Sequence, residues 1–311
     1  MSITALKTLS LILMTIDHIG AFIPEMPIAF RWIGRLSAPV FLFCLLEGIK
    51  KTSSRKKYIL RLYLFSIGMA GMDIAVNLLM PEQPLITDNI FLVYFAIAAC
   101  VAILDWSREK YHSLKRGILY IVLWQILAFI LLFFYDLIPI LPSINRYGIE
   151  ILFRALTGFV GGWRTNTILV ILGVMLYYLK GNRKKFVITY LTFSFVPSIL
   201  IQISFFPILM GRLEYILKYI VELPEIPEVI FCNILKAFIT LFLGFDTVFI
   251  EDYSLLALLY DNYQWMMAGA LPIFMLYNGT RGKGYKYFYY LYYMLHILAL
   301  AFLRQFLSAS L

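Results

Sequence analysis

Successive apolar runs of about twenty residues, separated by short basic loops, limit how this chain can fold more than any other feature. A helix of roughly that length spans the ~30 Å hydrocarbon core of a bilayer. In that core only helices and closed barrels satisfy their own backbone groups. Runs near residues 5–23, 30–49, 58–80, 88–104, 117–141, 166–180, 186–206, 228–250, 254–277 and 287–306 fit the pattern. Of the 311 residues, 62% are hydrophobic and 14% charged, whereas roughly a quarter of residues are charged in soluble domains. The expected fold is all-α: a polytopic transmembrane helical bundle of about 9–11 spans, one integral membrane domain over residues 1–311.

The net charge is +9. In a soluble chain that balance would suggest nucleic acid. Here the basic residues sit in short loops, where they set orientation, and no nucleic-acid partner is expected. Lys50–Lys57, Arg108–Arg116 and Lys180–Lys185 read as cytoplasmic, while 24–28 and 81–88 carry no Lys or Arg and read as external. The N-terminus is then cytoplasmic. Between Pro142 and Lys180 the chain crosses an odd number of times. We assign 166–180 as that crossing and 147–161, with Glu150 and Arg154, as amphipathic or re-entrant. Arg281, Lys283 and Lys286 argue for another internal loop. One segment between 207 and 277 must then fail to cross, either Met210–Leu223 or Asp246–Gln264. Cys44, Cys100 and Cys232 are far apart in apolar sequence, so neither a metal site nor a disulfide framework is expected.

The first run contains Asp17-His18. Burying a charge in hydrocarbon costs at least a few kcal/mol, so such residues face an interior site. His is also the side chain best placed to move a proton near neutral pH. Sequence neighbours on a helix point about 100° apart and do not face each other. Asp17 therefore pairs more naturally with Arg35 on the next span. Asp73 and Asn77 share one face of the third span, and Asp88 and Asn89 open the fourth. Four spans thus place polar groups at similar depth, which we read as a shared site. The bland alternatives are a helix-locking ion pair for Asp17–Arg35 and an interhelical hydrogen bond for His18. His296 lies mid-span in the last run, and Glu47 precedes Lys50 and Lys51. Glu47 fits a site or a pairing with its basic neighbours equally well.

Arg55, Lys56, Lys57 and Arg61 read first as topology signals and second as a cytoplasmic dock for an anionic cofactor. Tyr277 through Gly284, which includes Asn278 and Arg281, has the same two readings: its glycines allow close backbone approach and its cations suit phosphates. A standard P-loop is excluded, because no strand precedes this segment.

These residues resemble the TraX family of membrane proteins. The resemblance rests on Leu6–Leu9, Ile16-Asp17-His18-Ile-Gly20, Ile33-Gly34-Arg35 through Phe41, Leu46-Glu47-Gly48 and Arg55–Tyr58. It continues in Asp261–Trp265, Leu276–Gly279, Arg281-Gly282 and the late His296. It implies a multi-pass protein of the bacterial inner membrane that transfers an acyl group, since the family is associated with N-acetylation of pilin. It also implies acetyl-CoA as donor and co-substrate, no metal, and a pilin-like peptide or glycan acceptor. His18 would be the central base or acyl carrier, with Asp17, Arg35 and Glu47 beside it. Arg55, Lys56, Lys57, Arg61, Asn278 and Arg281 would meet the cofactor, and Asp73, Asn89 and His296 would line the site. The rival readings are a transporter or proton-coupled flippase, which would use the same charges as a relay, and a non-catalytic assembly factor for a pilus or other surface structure.

Overall fold

The structure, a computed structural model, describes residues 1–79, 89–137, 146–161, 167–221, 224–239, 254, 256–285 and 287–309. Asp88, Lys286, Asp246–Tyr253 and the side chain of Asn77 lie outside the described residues. Every described element is helical. Among the described residues seven helices are long and apolar enough to cross a membrane, which makes this a multi-pass membrane protein.

The chain opens with α1 (Ile3–Phe22), α2 (Ala29–Gly34) and α3 (Ser37–Lys51). α2 and α3 occupy a single apolar run, Ala29–Lys51. They part at Arg35 and Leu36 for a local reason. Pro39 has no N–H to give the carbonyl four residues back, and its ring crowds that carbonyl, which belongs to Arg35. α4 (Arg55–Leu79), α5 (Ile90–Tyr111) and α6 (Leu114–Leu137) follow as unbroken rods. Within the apolar 18-residue stretch of each, 61% of residues are buried in the α2–α3 run and in α5, against 17% in α6, so α3 and α5 form the middle of the bundle and α6 its rim.

α7 (Arg146–Thr157) and α8 (Thr167–Leu179) are shorter. Tyr63 Oη donates to the Leu156 carbonyl at 2.9 Å, and Trp124 Nε1 to the Thr157 carbonyl at 2.9 Å. Those partners lie two to three turns inside α4 and α6, so the end of α7 reaches well into the bundle. There Gln125 holds the Gly158 carbonyl and the Val160 N–H. Non-helical backbone survives at such depth only with that kind of satisfaction. The amphipathic or re-entrant piece expected at 147–161 has this form.

α9 (Arg183–Gln202), α10 (Phe205–Tyr219) and α11 (Glu225–Phe238) come next. The run expected as a span at 254–277 is broken into α12 (Ala257–Tyr260), a 3-10 segment (Tyr263–Ala270) and α13 (Leu271–Met275). It still runs the length of α2–α3. Trp32 Nε1 donates to the Leu259 carbonyl at one end, and Tyr277 Oη donates to Glu47 at the other. Asp261, Asn262 and Pro272 interrupt its apolar pattern and explain the breaks. α14 (Phe288–Ala309) completes the chain.

One end of the bundle gathers the basic loops. Lys51 Nζ reaches the Gly279 carbonyl, Arg183 reaches Met275, and Thr4 Oγ1 reaches the Arg281 carbonyl. The N-terminus, the Lys50–Arg55 loop, the Lys180–Arg183 loop and residues 277–283 therefore share this basic end. At the opposite end Gln202 bonds the Ser254 carbonyl. Residues 202 and 254 therefore lie at the same end of the bundle.

Candidate functional site

A cavity of about 400 Å³ runs inside the bundle, with Asp17, His18 and Arg35 on its wall at one level and Lys7, Cys44 and Tyr58 at another. Lys7 and His18 are eleven residues apart on α1, so the cavity extends about 16 Å along the helix axis. Its sides come mostly from apolar residues of α3, α5, α8, α9 and α14.

Asp17 is the hub of the deep level. Arg35 Nη2 donates to both of its carboxylate oxygens, at 2.9 and 2.8 Å. Arg31 Nη1 lies 2.8 Å from Oδ1 and donates to the Asp17 carbonyl at 3.0 Å. Arg31 and Arg35 are four apart and project from one face. Two cations on one carboxylate leave a net positive charge. Arg35 lines the cavity with its guanidinium over the Tyr263 ring at 5.4 Å, and its Nη1 makes no hydrogen bond among the described residues. Gly34 makes this contact possible, because a Cβ there would overlap the Asp17 side chain. Ser10 and Ser37 bond each other's carbonyls at 2.7 and 2.9 Å and fix α1 against α3 below the cluster.

His18 is held from α14. α1 and α14 run parallel, stitched by Thr8–Tyr289 at 3.0 Å, Thr15–Tyr292 at 3.0 Å, and then His18 Nδ1 to His296 Nε2 at 2.6 Å. His296 Nδ1 lies 2.8 Å from the Tyr292 carbonyl. A carbonyl only accepts, so His296 Nδ1 carries the proton and its Nε2 is the acceptor in the neutral ring. His18 Nδ1 then donates, and the lone pair of His18 is left on Nε2. The backbone of α14 thereby sets the tautomer of a cavity histidine two links away.

The structure groups the sequence-predicted residues differently from expectation. His18, Asp17 and Arg35 come together. Glu47, expected beside them, sits twelve residues further along α3, about 18 Å away along the axis. It is buried between Lys180, Lys51 and Tyr277 and locks the basic end. His296 stands behind His18 and off the cavity wall. Asn89 is also off the wall; it caps α5 through the Leu92 N–H and donates to the Ser66 carbonyl. Asp73 is fully buried on α4 away from the cavity. Among the expected cofactor residues, Arg55 is paired with Asp105 at 2.5 Å and with Tyr177. Lys56 and Lys57 are exposed. Arg61 stacks over the Tyr287 ring. Asn278 turns its side-chain oxygen onto Thr280, and Arg281 is exposed. The sequence reading missed Arg31 and Lys7. Arg31 was legible from its spacing to Arg35; Lys7 looks like an ordinary flanking charge until its side chain is seen on the cavity wall. Among the described residues, no cluster of His, Cys, Asp and Glu could hold a metal.

Residues 2–141 match the family model described as TraX protein. Over these residues the chain is similar to the TraX family. The match contains Lys7, Asp17, His18, Arg31 and Arg35, and stops before His296, Asn278 and Arg281. No curated protein and no solved structure matches the chain.

Proposed function

We propose that the protein is a membrane-embedded acyltransferase that moves an acetyl group from acetyl-CoA, entering at a basic end that faces the cytoplasm, to an amine or hydroxyl acceptor. The observation that carries this reading is His18, on the cavity wall with its Nε2 lone pair unengaged and its Nδ1–H fixed by His296. A transporter relay has no need of a fixed tautomer; a general base does.

In this mechanism the acceptor nitrogen or oxygen attacks the thioester carbonyl while His18 Nε2 takes its proton. In this reading Arg35 Nη1 donates to the developing oxyanion, a task for which preorganised donors are especially effective. The C–S bond then breaks, and the thiolate leaves with the proton held by His18, which restores the neutral ring. Attack by His18 itself, giving an acyl-imidazole, is the two-step form of the same transfer. Asp17 keeps both arginines in place and takes no proton. The TraX association with pilin acetylation makes a pilin-like peptide one acceptor class, and a surface glycan the other.

Binding of the donor is the first test. Acetyl-CoA at a hundred times its Kd stabilises a protein by about 2.7 kcal/mol. The purified protein should melt higher with acetyl-CoA or CoA and not with ATP. No shift at millimolar acetyl-CoA in folded protein would overturn the donor assignment.

A further inference from the structure

Lys7 is a cation on the wall of the cavity, and no carboxylate pairs with it among the described residues. Its Nζ sits over the Tyr289 ring, 5.6 Å from the centroid. Two further cations lie at the same end of the bundle. Arg61 lies over the Tyr287 ring at 5.6 Å, two residues before Tyr289. The Arg281 backbone is pinned to Thr4, one turn before Lys7, and Arg61 and Arg281 both act on Lys7 electrostatically. Two carboxylates at this end are committed elsewhere: Glu47 to Lys51 and Lys180, and Asp105 to Arg55. Like charges gathered at one end repel one another, a cost that an anion bound among them would reduce.

We propose that Lys7, Arg61 and Arg281 form a phosphate clamp at the basic mouth of the cavity, with Lys7 as its innermost ligand. The inference rests on the acyl-donor reading and deepens it. A pantetheine arm joins the pyrophosphate of CoA to its sulfur through about twelve bonds, the length of four extended residues, or roughly 14 Å. The axial rise from Lys7 to His18 is about 16 Å. A pyrophosphate held at Lys7 therefore delivers the thioester to His18. The same clamp chemistry would suit the headgroup of an anionic lipid, so the test must separate the two sources.

The experiment measures binding of CoA, of inorganic pyrophosphate and of phosphatidylglycerol to the full chain in neutral detergent, for the wild type, Lys7→Gln, Lys7→Arg and His18→Ala. Lys7→Gln should weaken CoA and pyrophosphate at least tenfold, Lys7→Arg should retain most of the affinity, and His18→Ala should change it less than twofold. Without ligand, Lys7→Gln should melt at or above the wild-type temperature, because repulsion is relieved; a lower melting temperature would mark Lys7 as a packing residue and overturn the clamp. Equal CoA affinity in the wild type and Lys7→Gln would overturn the clamp and leave the donor reading standing. Pyrophosphate binding that depends on Lys7, without CoA binding, would keep the clamp and sink the donor. Lys7-dependent binding of phosphatidylglycerol alone would assign the clamp to a lipid headgroup and overturn the CoA role. Binding of none of the three would overturn the clamp outright.

Discussion

Asp17 and His18 are sequence neighbours with separate tasks. Asp17 faces α2–α3 and organises two arginines; His18 faces α14 and the cavity. Removing one partner of a buried ion pair typically costs 3–5 kcal/mol, because the remaining charge stays buried. Asp17→Asn strands two cations, one of them a quarter exposed, so a loss of about 3 kcal/mol, the lower end of that range, is expected on thermal or denaturant unfolding. His296 acts through His18 and is a positioning residue. His296→Ala should lower kcat roughly tenfold or more while KM for the donor stays near wild type; a change confined to KM would remove it from this role. The Asp17–Arg35 pair was legible in the sequence because ionisable groups inside apolar runs must find each other. The His18–His296 pair was not, because 278 residues separate them and only the register of α1 against α14 brings them together. Asp73 and Asn89 show the opposite error: similar depth was read as a shared site, but depth does not say which way a side chain points.

At the scale of elements, the site depends on a deliberate defect. The helix breaks at Arg35 because Pro39 withholds a hydrogen bond, and Gly34 lets α1 approach the break. Pro39→Ala restores the donor and favours a continuous α2–α3. Misplacement by about 1 Å costs up to a hundredfold in rate, so acetyl transfer should fall at least about tenfold while the melting temperature holds or rises. Gly34→Ala forces Asp17 away and should cost about 1–3 kcal/mol, as overpacking does, together with activity. The unbroken rods α4, α5 and α6 were readable from apolar length alone. The broken passages, α7–α8 and Ala257–Met275, were readable only as interruptions. Their backbone is satisfied by distant side chains such as Gln125, Trp124 and Trp32, which no local pattern announces.

For the whole molecule, the contacts at the two ends fix a topology that labelling can check. Cysteines at Ser53, Gly181 and Thr280 should react with an impermeant reagent from one side of the membrane, and a cysteine at Met26 from the other. Labelling of Thr280→Cys from the Met26 side would break the assignment of residues 257–275 as a traversing segment. With that arrangement, one cavity joins a cationic end to a fixed histidine across about half a bilayer, a geometry suited to a donor and an acceptor that arrive from different sides. The most direct test of the acyltransferase reading is label transfer from acetyl-CoA carrying a radioactive acetyl group, in membranes containing the wild type or His18→Ala at equal expression. The account predicts labelled protein or glycan with the wild type and a loss of about a hundredfold or more with His18→Ala, the scale of a missing general base. Equal labelling by the two proteins would contradict it.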